Sequence, residues 1–228
     1  LRADRAWLEG QMYLNVSQAD ANSTEDTSLP SGLYLGTGVR TVATQKLHTQ
    51  GNIVQTNNSF DIAVQGNGFF QVSHPDGSIV YTRDGSFGLD ASGQVVTQNG
   101  YLVEPALTVP ANTLSMTVGS DGTVSVLIAG DNAPTQIGNV TLAQFINPTG
   151  LESIGDNLYR ESAASGTAQI DTPGTNGAGT LIQGSLESSN VNVVEELVNM
   201  IETQRAYEMN SKAISTTDDM LAYVSQQL

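Results

Sequence analysis

SLESSNVNVVEELVNMIETQRAYEMNSKAISTTDDMLAYVSQQL, from Ser185 to Leu228, contains neither Gly nor Pro. Val193, Met200, Tyr207, Ile214, Leu221 and Leu228 follow one another at intervals of seven, and Leu197, Ile201 and Val224 widen the stripe. A repeat of seven keeps one seam of a helix facing a partner and implies a left-handed supercoil. The start is marked as well. Asn190 or Asn192 is placed to cap the helix, and Glu195 and Glu196 sit in its first turns, where the helix dipole favours negative charge. At 1.5 Å per residue the helix would be roughly 54 Å long. Burying one large apolar side chain contributes roughly 1.5–3 kcal/mol, so six seam residues left in water forgo on the order of 10 kcal/mol. One reading is a core helix packed on its own domain. The other is an assembly helix whose partners are other segments or other subunits.

The 228 residues allow one or two domains. Net charge is −15, with only eight Lys and Arg: Arg2, Arg5, Arg40, Lys46, Arg83, Arg160, Arg205 and Lys212. They are scattered and form no basic stripe, which argues against nucleic acid as a partner and against anionic membrane surfaces. Charged residues are 14% of the chain, below the usual quarter, and Ser, Thr, Asn, Gln and Gly take their place. Such a composition suits an exported protein. Without cysteine there is no disulfide and no thiolate chemistry. No apolar run reaches the roughly 20 residues needed to span a bilayer, so no direct membrane insertion is expected.

Residues 1–12 read as a short helix, with Ala3, Ala6, Trp7 and Leu8 compatible and Gly10 weakening it; Trp7 reads as a buried anchor. Tyr13 to Pro30 is polar and without period, a loop of unusual length. From Ser31 the texture changes to short β-prone runs: GVRTVAT, GNIVQT, FDIAVQ, FFQVS, SIVYTR, GQVVTQ, YLVEPAL, LSMTVG, TVSVLIA and VTLAQFI. Turns fall between them at Asp76-Gly77, Asp84-Gly85, Ser92-Gly93, Asn99-Gly100 and Asp121-Gly122, dipeptides that supply the positive φ of tight hairpins. Spacing near ten residues predicts an antiparallel β domain, and TLIQGSLE reads as one strand leading back to the helix. The fold class is mainly β with a long C-terminal helix. Three parts are expected: 1–30, an N-terminal segment with the long polar loop; 31–186, a β-rich domain; and 187–228, the helix.

No constellation for catalysis emerges. The turn Gly66-Asn67-Gly68-Phe69-Phe70 lacks the third glycine of a dinucleotide loop, because position 71 is Gln, and a strand follows. His48 and His74 have no His or Cys beside them to suggest a metal site, and no G-x-S-x-G elbow occurs. The Asp-Gly pairs do not fit a calcium loop. Catalytic, metal and cofactor-binding residues are therefore assigned as none. Glu195, Glu196, Glu202, Glu208, Asp218 and Asp219 lie off the helix seam and read as a solvated face.

VNVVEELVNMIETQRAYEMNSKAISTTDDML closely resembles the C-terminal signature of the bacterial flagellar rod and hook family. LPSGLYLGTGVRTVATQKLHTQGNIVQTNNSFDIAVQGNGFFQV, YTRDGSFGLDASGQVVTQNGYLVEPAL and GLESIGDNLYRESAASG also resemble it, in the family's order. The resemblance is to rod rather than hook subunits, whose larger outer domains have no room here. It implies a structural subunit, not an enzyme, that polymerises with itself helically into a tubular drive shaft. Its other partners would be proximal rod proteins, the hook protein and the surrounding ring proteins. Its place would be the basal body across periplasm and outer membrane, reached by the flagellar type III export pathway. The last helix would join the channel-lining inner layer with a family N-terminal helix that precedes LRADRAWLEGQMY and is absent from this sequence. Its seam would be Val193, Leu197, Met200, Ile201, Tyr207, Ile214, Leu221, Val224 and Leu228. Residues 13–30, with Tyr13, Asn15, Asn22, Glu25, Asp26, Leu29 and Pro30, would form a rod-specific strap. The competing readings are a hook or proximal rod subunit, a secreted adhesin or carbohydrate-binding module, and a secreted hydrolase. The adhesin or carbohydrate-binding reading leaves the heptad helix unexplained, and no constellation supports the hydrolase.

Overall fold

The computed structural model describes residues 2–11, 13–17, 22–24, 27–28, 33–36, 38–131 and 133–226. Its strand pairings are all antiparallel, and the helix Val193–Gln226, α1, follows the last strand. The largest sheet is open and has seven strands. In spatial order they are Phe87–Leu89, Val95–Thr97, Leu102–Glu104, Phe70–Ser73, Ile79–Thr82, Leu158–Arg160 and Glu152–Gly155. A three-stranded sheet, Thr113–Val118, Thr123–Ile128 and Thr135–Asn139, packs with it around one apolar core. Thr123–Ile128 shows why. Val124 and Val126 are buried while the alternating Thr123 and Ser125 are half-buried, the period of two that a one-sided strand requires. Phe70, Val72, Val80 and Leu142 lie at the centre. Phe69, Tyr81, Ala143, Phe145 and Tyr159 form a second, aromatic cluster.

The expected turns hold at Gly77, Gly93, Gly100 and Gly122, all with positive φ. Asp84-Gly85 is different. A Cβ at Gly85 would lie 1.7 Å from the Ile62 carbonyl oxygen, so glycine is needed there for a close chain crossing rather than a hairpin. Each strand candidate contains a strand, but TLIQGSLE does not run through. It breaks at Gly184 into Thr180–Gln183, paired with Ile62–Gln65, and Ser185–Glu187, paired with Ile53–Gln55.

The N-terminal segment corrects the sequence reading. The described residues of 1–12 form no helix: Asp4–Gly10 is a strand paired with Val39–Lys46, from Asp4 opposite Lys46 to Gly10 opposite Val39. A helix this short is marginal in water, and the β-branched partner offers a full ladder instead. Trp7 is no buried anchor. It is 55% exposed, and its indole N–H donates to Gln45 Oε1. Beyond Gly10 the pairing continues with Tyr13–Ser17 against Leu33–Gly36, then Asn22–Thr24 against Thr27–Ser28. The described residues of the presumed loop thus lie in antiparallel pairs nested beyond the Asp4–Gly10 ladder, and the nested pairs together are called the hairpin below.

Candidate assembly surface

Every α1 residue from Val193 to Met220, and Ala222 and Tyr223, is exposed. Asn192 caps the helix, its Oδ1 accepting from Val194 N at 3.2 Å. In the first turns the apolar face is broad, with Val193, Val194, Leu197, Val198, Met200 and Ile201 all open to solvent. Farther along, Tyr207 is 76% and Ile214 65% exposed on the heptad line, and Met209, Met220 and Tyr223 are exposed beside it. Thr203, Thr216 and Thr217 donate their hydroxyls to the carbonyls of Asn199, Lys212 and Ala213, four residues back. This hides donors that would otherwise oppose burial. A seven-residue line drifts about 20° per heptad on a straight helix, about 80° from Val193 to Leu221, so a partner must wrap around it to follow the seam. Leu221 and Val224 belong to α1, while Leu228 lies outside the described residues.

Of the strap residues, Tyr13 and Asn15 lie on one strand of the hairpin and Asn22 on another. Glu25, Asp26, Leu29 and Pro30 lie outside the described residues. The structure does not bring strap and seam together among the described residues.

Sequence reasoning missed the base from which both projections leave. The Glu187 side chain is only 5% exposed and lies between Arg2 and Arg83, each 2.8 Å away. It also accepts from Gly51 N at 2.9 Å. Arg83 reaches further, donating to the carbonyls of Val64, Gly66 and Gly68. Burial pushes the Glu187 carboxyl up, but the Gly51 N–H and the two guanidiniums outweigh it and hold the group below its ordinary value. Burial lowers Arg83 in turn, and Glu187 partly offsets this. Leaving one partner of such a cluster alone costs about 3–5 kcal/mol. No sequence pattern announces it, because Arg2 and Glu187 are 185 residues apart.

His48 completes the base. Its ring meets Phe69 and Tyr159 edge-on at centroid distances of 5.9 and 5.6 Å. Burial, then Arg2, Lys46 and Arg83, depress its pKa to about 4, against a smaller opposing pull from Asp4. Among the described residues no group of three or more His, Cys, Asp or Glu is placed to hold a metal, and no helix is long and apolar enough to cross a membrane.

Comparison with known proteins agrees with this architecture. Residues 63–126 match the flagellar hook protein FlgE/F/G D1 domain, and residues 182–227 match the flagellar basal body rod FlgEFG protein C-terminal domain. The first covers much of the main β core, the second α1 and its approach. The chain is 56% identical over 225 residues to the flagellar basal-body rod protein FlgG of Buchnera aphidicola from Schizaphis graminum, covering 99% of this chain and 86% of the relative. It is 44% identical to the protein of that name from Borreliella burgdorferi, covering 95% and 83%, and 38% identical to that from Bacillus subtilis, covering 82% and 72%. The chain therefore belongs to the flagellar rod and hook family, on the side of its distal rod proteins, as a structural subunit of the basal body.

Proposed function

We propose that this subunit polymerises helically into the tube of the drive shaft and carries torque from motor to hook. The observation behind this is α1, a 34-residue helix with an apolar heptad line, exposed at every residue from Val193 to Met220. Residues 187–228 would form the channel-lining inner layer, with Val193, Leu197, Met200, Ile201, Tyr207, Ile214, Leu221, Val224 and Leu228 as its seam. Residues 31–186 would form the outer layer. Residues 13–30 would be the strap that locks neighbouring subunits and keeps the shaft straight. The partners would be other copies, proximal rod proteins, the hook protein and the surrounding rings, along a path through periplasm and outer membrane. Export would follow the flagellar type III route, and the work is mechanical rather than chemical.

Ile214→Asp tests the reading. It puts an unpaired charge into the seam, which costs several kcal/mol once the seam is buried in a polymer. In the monomer Ile214 is open to water, so folding should not suffer. Cells carrying the variant should be non-motile and export subunits that fail to polymerise. Normal rods in electron micrographs of that strain would overturn the proposal.

A further inference from the structure

The hairpin and α1 leave the β body at one place, and the chain there is tied by side chains rather than by sheet alone. Asn190 is the centre of it. Its Oδ1 accepts from Ala3 N at 2.9 Å. Its Nδ2 donates to Leu47 O at 3.0 Å, Thr49 O at 3.1 Å and Thr49 Oγ1 at 2.9 Å. One amide thus holds the chain entering the hairpin, the chain leaving it and the connector to α1. A carboxylate could not do this, since the position needs an acceptor on one side and donors on the other.

A second tie lies three residues earlier. Glu187 holds Arg2 of the entering chain, Gly51 of the leaving chain and Arg83 of the body. Arg2 also donates to Thr49 O. Between the ties the chains run against each other. Ser188 N donates to Asn52 O at 2.8 Å, and a Cβ on Gly51 would lie 2.0 Å from Ser188 O. From Asn190 only Val191 and Asn192 separate the clamp from α1, and both make local hydrogen bonds. Val191 N donates to Ser189 Oγ at 3.1 Å, and Asn192 caps the helix.

We infer that Glu187 and Asn190 form a rigid joint that sets the direction in which α1 and the hairpin leave the β body, and that carries load between them. From Val193 to Met220 every residue of α1 is exposed, so over that length its direction is set at its root. The inference rests on the proposed shaft. A shaft whose inner helices turned freely on the outer body would wind up before it transmitted torque. Asn190 and Glu187 are positioning residues: they act on the angle between two elements, not on either element's fold.

The absence of cysteine permits a direct test. Spin labels are placed at Ser153→Cys on the body and Glu195→Cys in the first turn of α1, both exposed. Pulsed electron resonance then gives the distribution of distances between them in the full chain. The unsubstituted joint should give a single narrow peak. Asn190→Ala should lose that peak while near-ultraviolet circular dichroism of the body stays the same. Gly51→Ala should instead shift the peak, because the new methyl must push Ser188 away. Ile214→Asp should keep the native peak yet fail to polymerise, which separates failure of the joint from failure of the seam. A broad distribution in the native chain, or an unchanged narrow peak in both Asn190→Ala and Gly51→Ala, would overturn the inference.

Discussion

His48 gives the base of the molecule a pH dependence of definite sign. Its pKa is about 4 in the folded chain and 6.5 when free. Above pH 6.5 the ring is neutral in both states and the fold loses nothing. Between 6.5 and about 4 the unfolded chain binds a proton that the folded chain refuses, so stability falls as pH falls. Glu187 acts in a lower window. Its carboxyl is held below the ordinary value of 4.5, and its contribution is lost only as pH falls through that range. Thermal melts of the monomer should therefore show Tm declining from pH 6.5 toward 4 in the native chain. In His48→Phe, which keeps a ring against Phe69 and Tyr159, the decline over that interval should flatten. An equal slope in both proteins would place the titrating group elsewhere.

Among elements, the long hairpin is the one whose role is most open to direct manipulation. Tyr13–Ser17 pairs with Leu33–Gly36, so removing 13–30 alone strands its partner, and a clean deletion takes out 13–36. Gln11 N already bonds Gly38 O at 2.8 Å, which leaves the inner ladder closed after the cut. Subunits with this deletion should still polymerise through α1 but form curved rods, because bending needs neighbours to slide and the strap would no longer stop them. Straight rods in electron micrographs would assign stiffness to contacts between β bodies instead. The hairpin also shows why sequence reading reached only part of the fold. Strands covering a core carry an imprint of it: Val124 and Val126 alternate with Thr123 and Ser125 because one face is dry. Asp4–Gly10 is exposed throughout and Val39–Lys46 along most of its length, so no alternation was there to find, and local helix propensity prevailed in the reading. The heptad line of α1 was legible because its residues lie on one helix. The Glu187 and Asn190 ties were not, since their partners come from chain 100 or more residues distant, as Arg83 does at 104 and Leu47 at 143.

For the whole molecule, the open question is one of balance between a body that is complete and a helix that is not. The body encloses its own apolar core. α1 has backbone hydrogen bonds, but every residue from Val193 to Met220 is exposed, and an isolated helix is marginal in water without a packed face. Its stability should then be supplied by assembly, which makes folding of the helix and growth of the rod one event. Hydrogen exchange measures this directly, amide by amide, in the monomer and in the polymer. The account predicts rapid exchange from Met200 to Gln226 in the monomer beside strong protection in Phe70–Ser73 and Ile79–Thr82, with α1 becoming strongly protected in the polymer. Strong protection across Met200 to Gln226 already in the monomer would contradict it, since the helix would then owe its stability to its own chain and not to its neighbours.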